Sequence, residues 1–276
     1  MGRPDCGEAD FEPLPLLTPE SSYNSVLPMI SSLKGHSMRF LSGSTFAIAI
    51  ALLAPALVSA QGQGAAPTET SRSIAGGGIS APGWTGAVDA NAVKAGQTVK
   101  DAKLTQEGDV LHVTTGPAVT YWNPANKASG DYTVSATFTE PKYMNLNTHP
   151  HPYGIMIGGN NMGTPEASYL YCAAYGNGNF IVRGFGPEPF QMNGRRGGES
   201  DAVHKAAGPG QPVTQKIALS VKGDKVECAI NGTVVASYDK SELVSAGKLK
   251  STDGVYGIRF AHNTEGTVSD LSMTKQ

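Results

Sequence analysis

The fold class of this 276-residue chain is decided by residues 216–238, which read KIALSVKGDKVECAINGTVVASY. Three runs of alternating apolar and polar side chains are separated there by Gly223-Asp224 and by Asn231-Gly232. Alternation with a period of two predicts β-strands that bury one face. Gly-Asp and Asn-Gly pairs supply the positive φ angles that tight hairpin turns require. The stretch therefore predicts three consecutive antiparallel strands.

The same pattern extends from Trp84 to the C-terminus, where short alternating runs are separated by turn residues. Only residues 240–246 have a helical pattern. Many short strands joined by short turns favour a single antiparallel β-sandwich domain. The predicted strands are residues 102–106, 110–115, 118–122, 132–139, 153–158, 168–175, 179–185, 215–222, 225–230, 233–238, 254–261 and 267–273.

The composition supports an all-β domain and argues against some partners. Gly (34 residues) and Pro (18) are frequent enough to interrupt long helices. Lys and Arg (21) nearly balance Asp and Glu (23), so the net charge is −2. A chain without a positive surplus has no electrostatic field for a polyanion, and we expect no nucleic-acid partner.

Residues 38–60 have the three parts of a secretory signal peptide. A positive charge at Arg39 precedes an apolar run at residues 46–53, and small residues lead to a cleavage site after Ala60. The apolar run is shorter than the ~20 residues that span a bilayer, which favours a cleaved signal over a membrane anchor. We therefore expect a secreted or periplasmic protein with no membrane span after signal removal.

The signal sequence also divides the chain into segments. Residues 1–37 lie upstream of it, so we interpret them as a disordered product of an over-called translation start, with Met38 as the true start. Residues 61–83 are rich in Gly, Ala, Ser and Pro and predict a flexible tether. Residues 84–276 form the predicted β-sandwich.

The phase of one strand bears on function. Tyr169 and Tyr171 share one face, while Leu170, Cys172 and Ala174 share the other. The small apolar set is the natural core face, which leaves a ladder of tyrosines on the outer surface. The opposite phase, with the tyrosines in the core, is the alternative, and the period of two makes the two assignments mutually exclusive.

Several segments together resemble the concanavalin A-like lectin/glucanase superfamily, in particular its secreted 3-keto-disaccharide hydrolase and laminin-G-like families. The resemblance covers residues 84–276. It implies a jelly-roll of about twelve strands in two curved sheets, with a concave face that commonly binds sugars. The segments that carry it are DYTVSATF (131–138), PYGIMIGG (152–159), YLYCAAYGNGNFIVRGF (169–185), residues 216–238, and GVYGIRFAHNTEGTVSDLSM (254–273).

A catalytic signature is missing from the sequence. Glycoside hydrolases need two carboxylates that flank the bond, and the glucanases of the resembled superfamily carry E-x-D-x-x-E, which does not occur here. Where the keto-disaccharide family often places a strand glutamate, this chain has Tyr169-Leu170-Tyr171. We therefore assign no catalytic residue.

His149-Pro150-His151 is the sharpest local cluster. Two imidazoles on an extended segment can ligate one metal ion, but no third ligand follows at a short spacing. The alternatives are a contact with a bound ligand, or a rigid proline-rich loop at the rim of the sandwich. We assign no metal ligand from the sequence.

The long Gly/Pro-rich segment at residues 184–210 is a second candidate, because long ordered loops in compact domains are usually functional or mobile. Arg195 and Arg196 can bind a carboxylate or phosphate in two-point fashion. They can equally be solvated charges on a surface flap. Arg183, in the preceding strand, is either a ligand contact or an ion-pairing edge residue.

Cofactors and cross-links are less defined. A structural calcium ion, common in the resembled superfamily, is the only cofactor considered, with Asp89, Asn91 and Asp270 as candidate ligands. Cys172 and Cys228 both lie in phase with apolar neighbours. Export would permit a disulfide between them, but we favour two buried free thiols, which is common for cysteine.

The resulting hypothesis is a secreted, non-catalytic domain that binds a polysaccharide or oligosaccharide. One alternative is a glycoside hydrolase of the same fold that uses Glu166, Glu188 or Glu199. The other is an envelope or matrix scaffold that binds protein. The predicted ligand-binding residues are Tyr169, Tyr171, Arg183, His149, His151, Arg195 and Arg196.

Overall fold

The computed structural model describes residues 69–194 and 197–276. The predicted translation start, the signal peptide and the first part of the tether lie outside the described residues, as do Arg195 and Arg196. The strands are β1 (Gly78–Ser80), β2 (Thr85–Val88), β3 (Lys103–Glu107), β4 (Val110–Thr114), β5 (Val119–Ala128), β6 (Tyr132–Glu140), β7 (Tyr153–Asn160), β8 (Ser168–Ala174), β9 (Asn179–Phe185), β10 (Phe190–Gln191), β11 (Gly198–Glu199), β12 (Val213–Lys222), β13 (Lys225–Ile230), β14 (Thr233–Asp239), β15 (Gly254–Phe260) and β16 (Glu265–Lys275).

Helices are few and short in the part of the chain that the structure describes. They are α1 (Ala90–Lys94), α2 (Lys240–Leu243) and a single 3-10 turn at Val99–Asp101. Of the residues that the structure describes, none belongs to a helix with the length and apolarity needed to cross a bilayer.

The strands form two sheets of eight. The first sheet has the order β1-β3-β4-β16-β6-β12-β13-β14, and the second has the order β10-β9-β8-β7-β15-β5-β2 with β11 also paired to β9. All pairs are antiparallel except β1 with β3. The prediction of an all-β antiparallel sandwich is confirmed.

The core lies between the sheets, where alternate side chains of each strand point inward. Val134 and Phe138 on β6 meet Ile155 on β7 and Phe260 on β15, and none of the four is more than 1% exposed. The ring of Phe138 stands 5.9 Å from that of Tyr153 and 6.0 Å from that of Phe260, so aromatic contacts join the sheets.

All twelve predicted strands are present, and the four that the sequence did not reveal are the shortest. They are β1, β2, β10 and β11, with two to four residues each. Strands of this length cannot display a period of two, because they contain at most two residues on each face.

The segment ahead of Trp84 is part of the sandwich, so the prediction of a flexible tether is wrong for residues 69–83. Strand β1 pairs in parallel with β3, and the amide of Gly78 donates to the carbonyl of Ala102 at 2.7 Å. A Cβ atom at Gly77 would clash with the carbonyl oxygen of Lys100. The segment is therefore held by backbone contacts, which side-chain composition does not reveal.

A disulfide joins Cys172 on β8 to Cys228 on β13, with the Cα atoms 6.1 Å apart. The two strands belong to different sheets, so the bond crosses the core. The preference for free thiols is wrong. The correct choice depends on which strands face each other across the core, and the sequence pattern does not show this. Both sulfur-bearing side chains are at most 1% exposed.

The disulfide closes a sequence separation of 56 residues, for which the chain-entropy relation gives about 4 kcal/mol of stabilisation. We expect the Cys172→Ala/Cys228→Ala double variant to lose that order of unfolding free energy in denaturant titrations, compared with the oxidised unmodified chain. Thiol titration of the unfolded chain should find two additional thiols per chain after reduction. Equal thiol counts before and after reduction would contradict the cross-link.

Glu140 is a buried carboxyl group at the end of β6, only 3% exposed. Its Oε1 accepts a hydrogen bond from the amide of Met144 at 3.0 Å, while Oε2 is buried without a partner among the described residues. Burial raises its pKa to about 7; the hydrogen bond from Met144 opposes this shift and the charge of Glu265 adds to it. The folded state therefore holds a proton that the unfolded state releases at lower pH.

This raised pKa predicts a stability that falls as the pH rises. Between the unfolded pKa of 4.5 and about 7 the folded chain binds more protons at Glu140 than the unfolded chain does, so the free energy of unfolding decreases across that window. We expect Glu140→Gln to reduce this slope, measured by denaturant titration from pH 5 to 8. Glu107→Gln, at the exposed end of β3, is the control, and equal slopes for both variants would refute the assignment.

Candidate functional site

A cleft of about 370 Å³ opens on the outer face of the second sheet. Its floor is built from side chains that point away from the core on β8, β9 and β15, and its rim is the loop that precedes β7. The residues that line it include Asp89, His149, His151, Tyr171, Tyr175, Arg183, Arg259 and His262. Four of the seven predicted ligand-binding residues are therefore brought together.

Small residues lie beside Arg259 on the neighbouring strands. Ala173 on β8 pairs with Gly154 on β7, which in turn pairs with Arg259 on β15. A Cβ atom at Gly154 would clash with the carbonyl oxygen of Cys172. Only glycine therefore allows β7 and β8 this approach.

The tyrosine strand has the predicted phase. Leu170, Cys172 and Ala174 belong to the main core, while Tyr169 and Tyr171 belong to a second apolar cluster on the outer face. The tyrosines are nevertheless only 6% and 5% exposed, so they do not form an open ladder.

Phe185 is responsible for much of that cover. Its ring lies 5.0 Å from the ring of Tyr169 and 6.3 Å from that of Tyr171. Tyr171 still lines the cleft, whereas Tyr169 is not among the lining residues. The hydroxyl of Tyr169 instead lies 2.8 Å from Thr120 Oγ1, so Tyr169 packs beneath the residues that line the cleft.

Arg259 places a buried positive charge on the outer face of the second sheet. Its side chain is 7% exposed and forms two hydrogen bonds with Asp89, from Nη1 to Oδ1 at 2.8 Å and from Nη2 to Oδ2 at 2.6 Å. Nη1 also donates to Thr120 Oγ1 at 2.8 Å. The guanidinium carbon lies 5.2 Å from the ring centre of Tyr171 and 5.0 Å from that of Phe185.

Arg183 has a different environment from Arg259. It pairs with Tyr171 across β8 and β9, and its guanidinium carbon lies 5.6 Å from the ring centre of Phe185. Among the described residues no carboxylate oxygen lies within 4.0 Å of it. Its hydrogen-bond donors are therefore available to a ligand in the cleft.

Three histidines and one glutamate gather at one end of the cleft. One candidate ligand atom from each of Glu69, His149, His151 and His262 lies within 4.8 Å of all the others. His149 Nδ1 is 3.2 Å from Glu69 Oε2, and the Nε2 atoms of His149 and His151 are 2.9 Å apart.

Burial controls the charge of this cluster. Desolvation, reinforced by the charge of His262, lowers the pKa of His151 to about 4, and desolvation also lowers the pKa of His262. For Glu69, desolvation raises the pKa, but the hydrogen bond from Thr148 and the charges of the histidines outweigh it and lower the pKa overall. Burial therefore favours the neutral forms of His151 and His262 beside an ionised Glu69.

The glutamates considered for catalysis do not reach the cleft. Glu166, Glu188 and Glu199 are exposed and absent from its lining, and Glu199 forms an exposed ion pair with Lys205 at 3.3 Å. The carboxylate that does line the cleft, Asp89, is paired with Arg259. Asp89 is the one carboxylate among the described residues that line the cleft, although Glu69 contacts the histidines at its end.

Of the candidate calcium ligands, Asp89 and Asn91 line one cleft together, whereas Asp270 lies apart from both. Both oxygens of Asp89 accept hydrogen bonds from Arg259, whose positive charge opposes a second cation. Asp270 lies on β16 of the first sheet, away from the second sheet that Asp89 contacts. A calcium ion shared by these residues does not fit the structure.

Sequence reasoning missed the roles of Arg259 and His262. Both lie in the run GIRFAH, in which an arginine stands within an apolar strand and a histidine follows its end. A charge at an otherwise apolar strand position is the signal that could have indicated a buried ion pair. Asp89 was considered only as a calcium ligand, because its partner is 170 residues away.

A second, smaller cleft extends the first. Its volume is about 310 Å³, and it shares Asp89, Ala118 and His262 with the larger cleft. Residues of α1 and the segment that starts at Thr70 form its other walls. The two clefts therefore adjoin each other on the outer face.

No protein-family profile and no curated protein matches this sequence. Several solved structures do match at low identity. A carbohydrate binding module from Bacillus subtilis is 7% identical, with 72% of this chain and 99% of that chain covered and a TM-score of 0.47. An endo-β-1,3-glucanase from Pyrococcus furiosus is 13% identical, covers 67% and 85%, and has a TM-score of 0.45. Sheep galectin-11 is 10% identical, covers 54% and 92%, and has a TM-score of 0.34.

All three likenesses have TM-scores below 0.5. At such identities and TM-scores they carry no functional information about this chain. Function therefore rests on the side chains of the cleft.

The Arg259–Asp89 pair predicts a specific stability effect. Asp89→Asn keeps the side-chain shape but leaves the buried guanidinium without a counter-charge. Breaking a buried pair costs about 3–5 kcal/mol, and because Asp89 is 28% exposed we expect a loss of about 2–3 kcal/mol in unfolding free energy. Asp109→Asn, at an exposed turn, is the control. A loss no larger than that of the control would contradict the role assigned to the pair.

Proposed function

We propose that this protein is an exported, non-catalytic domain that binds an oligosaccharide or polysaccharide in the cleft of the second sheet. The observation that carries the proposal is the juxtaposition of Tyr171 with Arg183 on neighbouring strands. One supplies an aromatic surface at the cleft and the other supplies hydrogen-bond donors that lack a carboxylate partner in the described part of the chain.

This pairing suits a sugar ring. The C–H face of a pyranose packs on an aromatic side chain, while its hydroxyls accept and donate hydrogen bonds at the edges. Ligand sites generally combine an apolar floor with a few placed polar groups. Tyr171, Tyr175 and Ile181 supply the floor here, and Arg183 with His149 supplies the polar edge.

The second cleft beside the first supports an oligosaccharide rather than a single sugar. The two clefts share a wall at Asp89, Ala118 and His262, so a ligand that leaves the larger cleft continues along α1. We place the terminal or central sugar ring against Tyr171 and the following units towards α1.

The non-catalytic part of the proposal rests on charge. Glycoside hydrolysis uses an acid and a base or nucleophile from two carboxylates. The carboxylate that lines the larger cleft, Asp89, is neutralised by Arg259. Glutamates considered for the hydrolase alternative are on the exposed surface.

Export is the remaining part of the proposal. The signal-like residues 38–60 support it, and a disulfide across the core suits an oxidising compartment. N-terminal sequencing of the exported chain tests it: a chain that begins at Gln61 supports export with cleavage, and one that retains residues 38–60 contradicts it.

Binding can be tested with a glycan array followed by calorimetry on the best ligand. We expect Arg183→Ala and Tyr171→Ala each to weaken binding at least about 10-fold, because each change removes about 1.4 kcal/mol or more of contact. Lys216→Ala, an exposed cation on β12 of the first sheet, is the control and should leave affinity unchanged.

Three outcomes would contradict the proposal in different ways. Absence of any glycan ligand, together with co-purification of a protein partner, would favour the scaffold alternative. Release of reducing ends from a bound glycan would favour the hydrolase alternative. Equal affinity in Arg183→Ala and Lys216→Ala would place the binding site elsewhere on the molecule.

A further inference from the structure

We propose that Glu69, His149, His151 and His262 form a binding site for a divalent transition metal ion, with Zn²⁺ as the best match. The site lies at one end of the cleft and shares His149 with the polar edge proposed for the sugar, but metal binding is argued and tested independently of the proposed function.

The arrangement of donor atoms supports a tetrahedral ion. Two ligands that each lie about 2.0–2.1 Å from Zn²⁺ at a tetrahedral angle are about 3.3 Å apart. His149 Nδ1 and Glu69 Oε2 are 3.2 Å apart, and His151 Nε2 and Glu69 Oε2 are 3.9 Å apart. The most distant pair of the set lies within 4.8 Å, so a closure of about 1.5 Å brings all four atoms to zinc distances.

The chemistry of the donors selects the kind of metal. Three imidazole nitrogens and one carboxylate oxygen suit Zn²⁺ and its neighbours in the transition series. Ca²⁺ and Mg²⁺ prefer sites built from oxygen atoms alone. Four protein ligands complete a tetrahedral shell, which is the pattern of structural rather than catalytic zinc.

Hydrogen bonds already orient His151 for this role. Its Nδ1 lies at hydrogen-bond distance from the carbonyl oxygen of His262, and because a carbonyl can only accept, Nδ1 carries the proton. The lone pair of the neutral ring is then on Nε2, which faces His149 and Glu69. Histidines that bind a metal ion usually donate the other ring N–H to a backbone carbonyl or carboxylate, which fixes the orientation of the ring.

His262 is incompletely satisfied without a metal ion. Its Nε2 atom is buried and has no hydrogen-bond partner among the described residues. A cation bound inside the cluster would supply that partner.

The site would tie three distant parts of the chain together. Glu69 belongs to the segment ahead of β1, His149 and His151 to the loop before β7, and His262 to the turn after β15. The amide of Thr148 already contacts Glu69 Oε2 at 3.3 Å. A bound ion would therefore hold the N-terminal segment against the rim of the cleft and stabilise the folded state by mass action.

The test uses the full chain, purified with a tag that contains no histidine and stripped with a chelator. Calorimetry with ZnCl₂ should give one ion per chain, and addition of Zn²⁺ should raise the melting temperature. Co²⁺ as a probe should give the intense visible absorption of a four-coordinate ion. His149→Ala and Glu69→Gln should each weaken Zn²⁺ binding at least about 10-fold, since even outer-shell changes cost 10–100-fold.

His149 is chosen because its side chain is 55% exposed, so its replacement leaves the core intact, as circular dichroism can verify. His112→Ala is the matched control, since His112 is an exposed histidine on β4 that lies 3.7 Å from Glu107. Affinity that survives His149→Ala, or that falls equally in His112→Ala, would overturn the proposal. So would failure to bind one Zn²⁺ per chain.

Discussion

The outer face of the second sheet depends on the positive charge that Arg259 buries there. Removing a guanidinium from water costs several kcal/mol unless a partner neutralises it. Asp89, which lies at the start of α1, neutralises it by accepting two hydrogen bonds from Arg259. Because Arg259 is fixed in this way, the rings of Tyr171 and Phe185 pack against a rigid guanidinium. The pair thus builds one wall of the cleft, and Arg183 on the same face keeps its donors for a ligand.

The fold was predictable because its long strands are buried on one face. β6 alternates between buried and half-buried positions along its whole length, which is the pattern that the sequence displays. β7 and β8 are buried on both faces, and in β8 the contrast of large tyrosines with small apolar residues still indicated the phase. The sequence could not indicate which side chains cover the tyrosines of β8, because Phe185 and Arg259 come from other strands.

The candidate site was predictable only where its residues are neighbours in the sequence. His149 and His151 were found as a local motif, and Tyr171 was found from its strand. His262 and Glu69 join those histidines across more than 100 and about 80 residues respectively. The disulfide was not predicted for the same reason, because Cys172 and Cys228 meet only when the two sheets are stacked. Such contacts follow from the order of the strands, which local periodicity does not contain.

The four strands that periodicity did not reveal all lie at the edges of the two sheets. β1 and β2 end the two sheets, while β10 and β11 both pair with the outer side of β9. An unpaired strand edge is a template for another chain, so these short elements act as covers that oppose edge-to-edge aggregation. The Gly-rich segment before Trp84 therefore protects the edge of the five-residue strand β3 from unwanted partners, and a chain that lacked this segment would lose solubility before it lost its core.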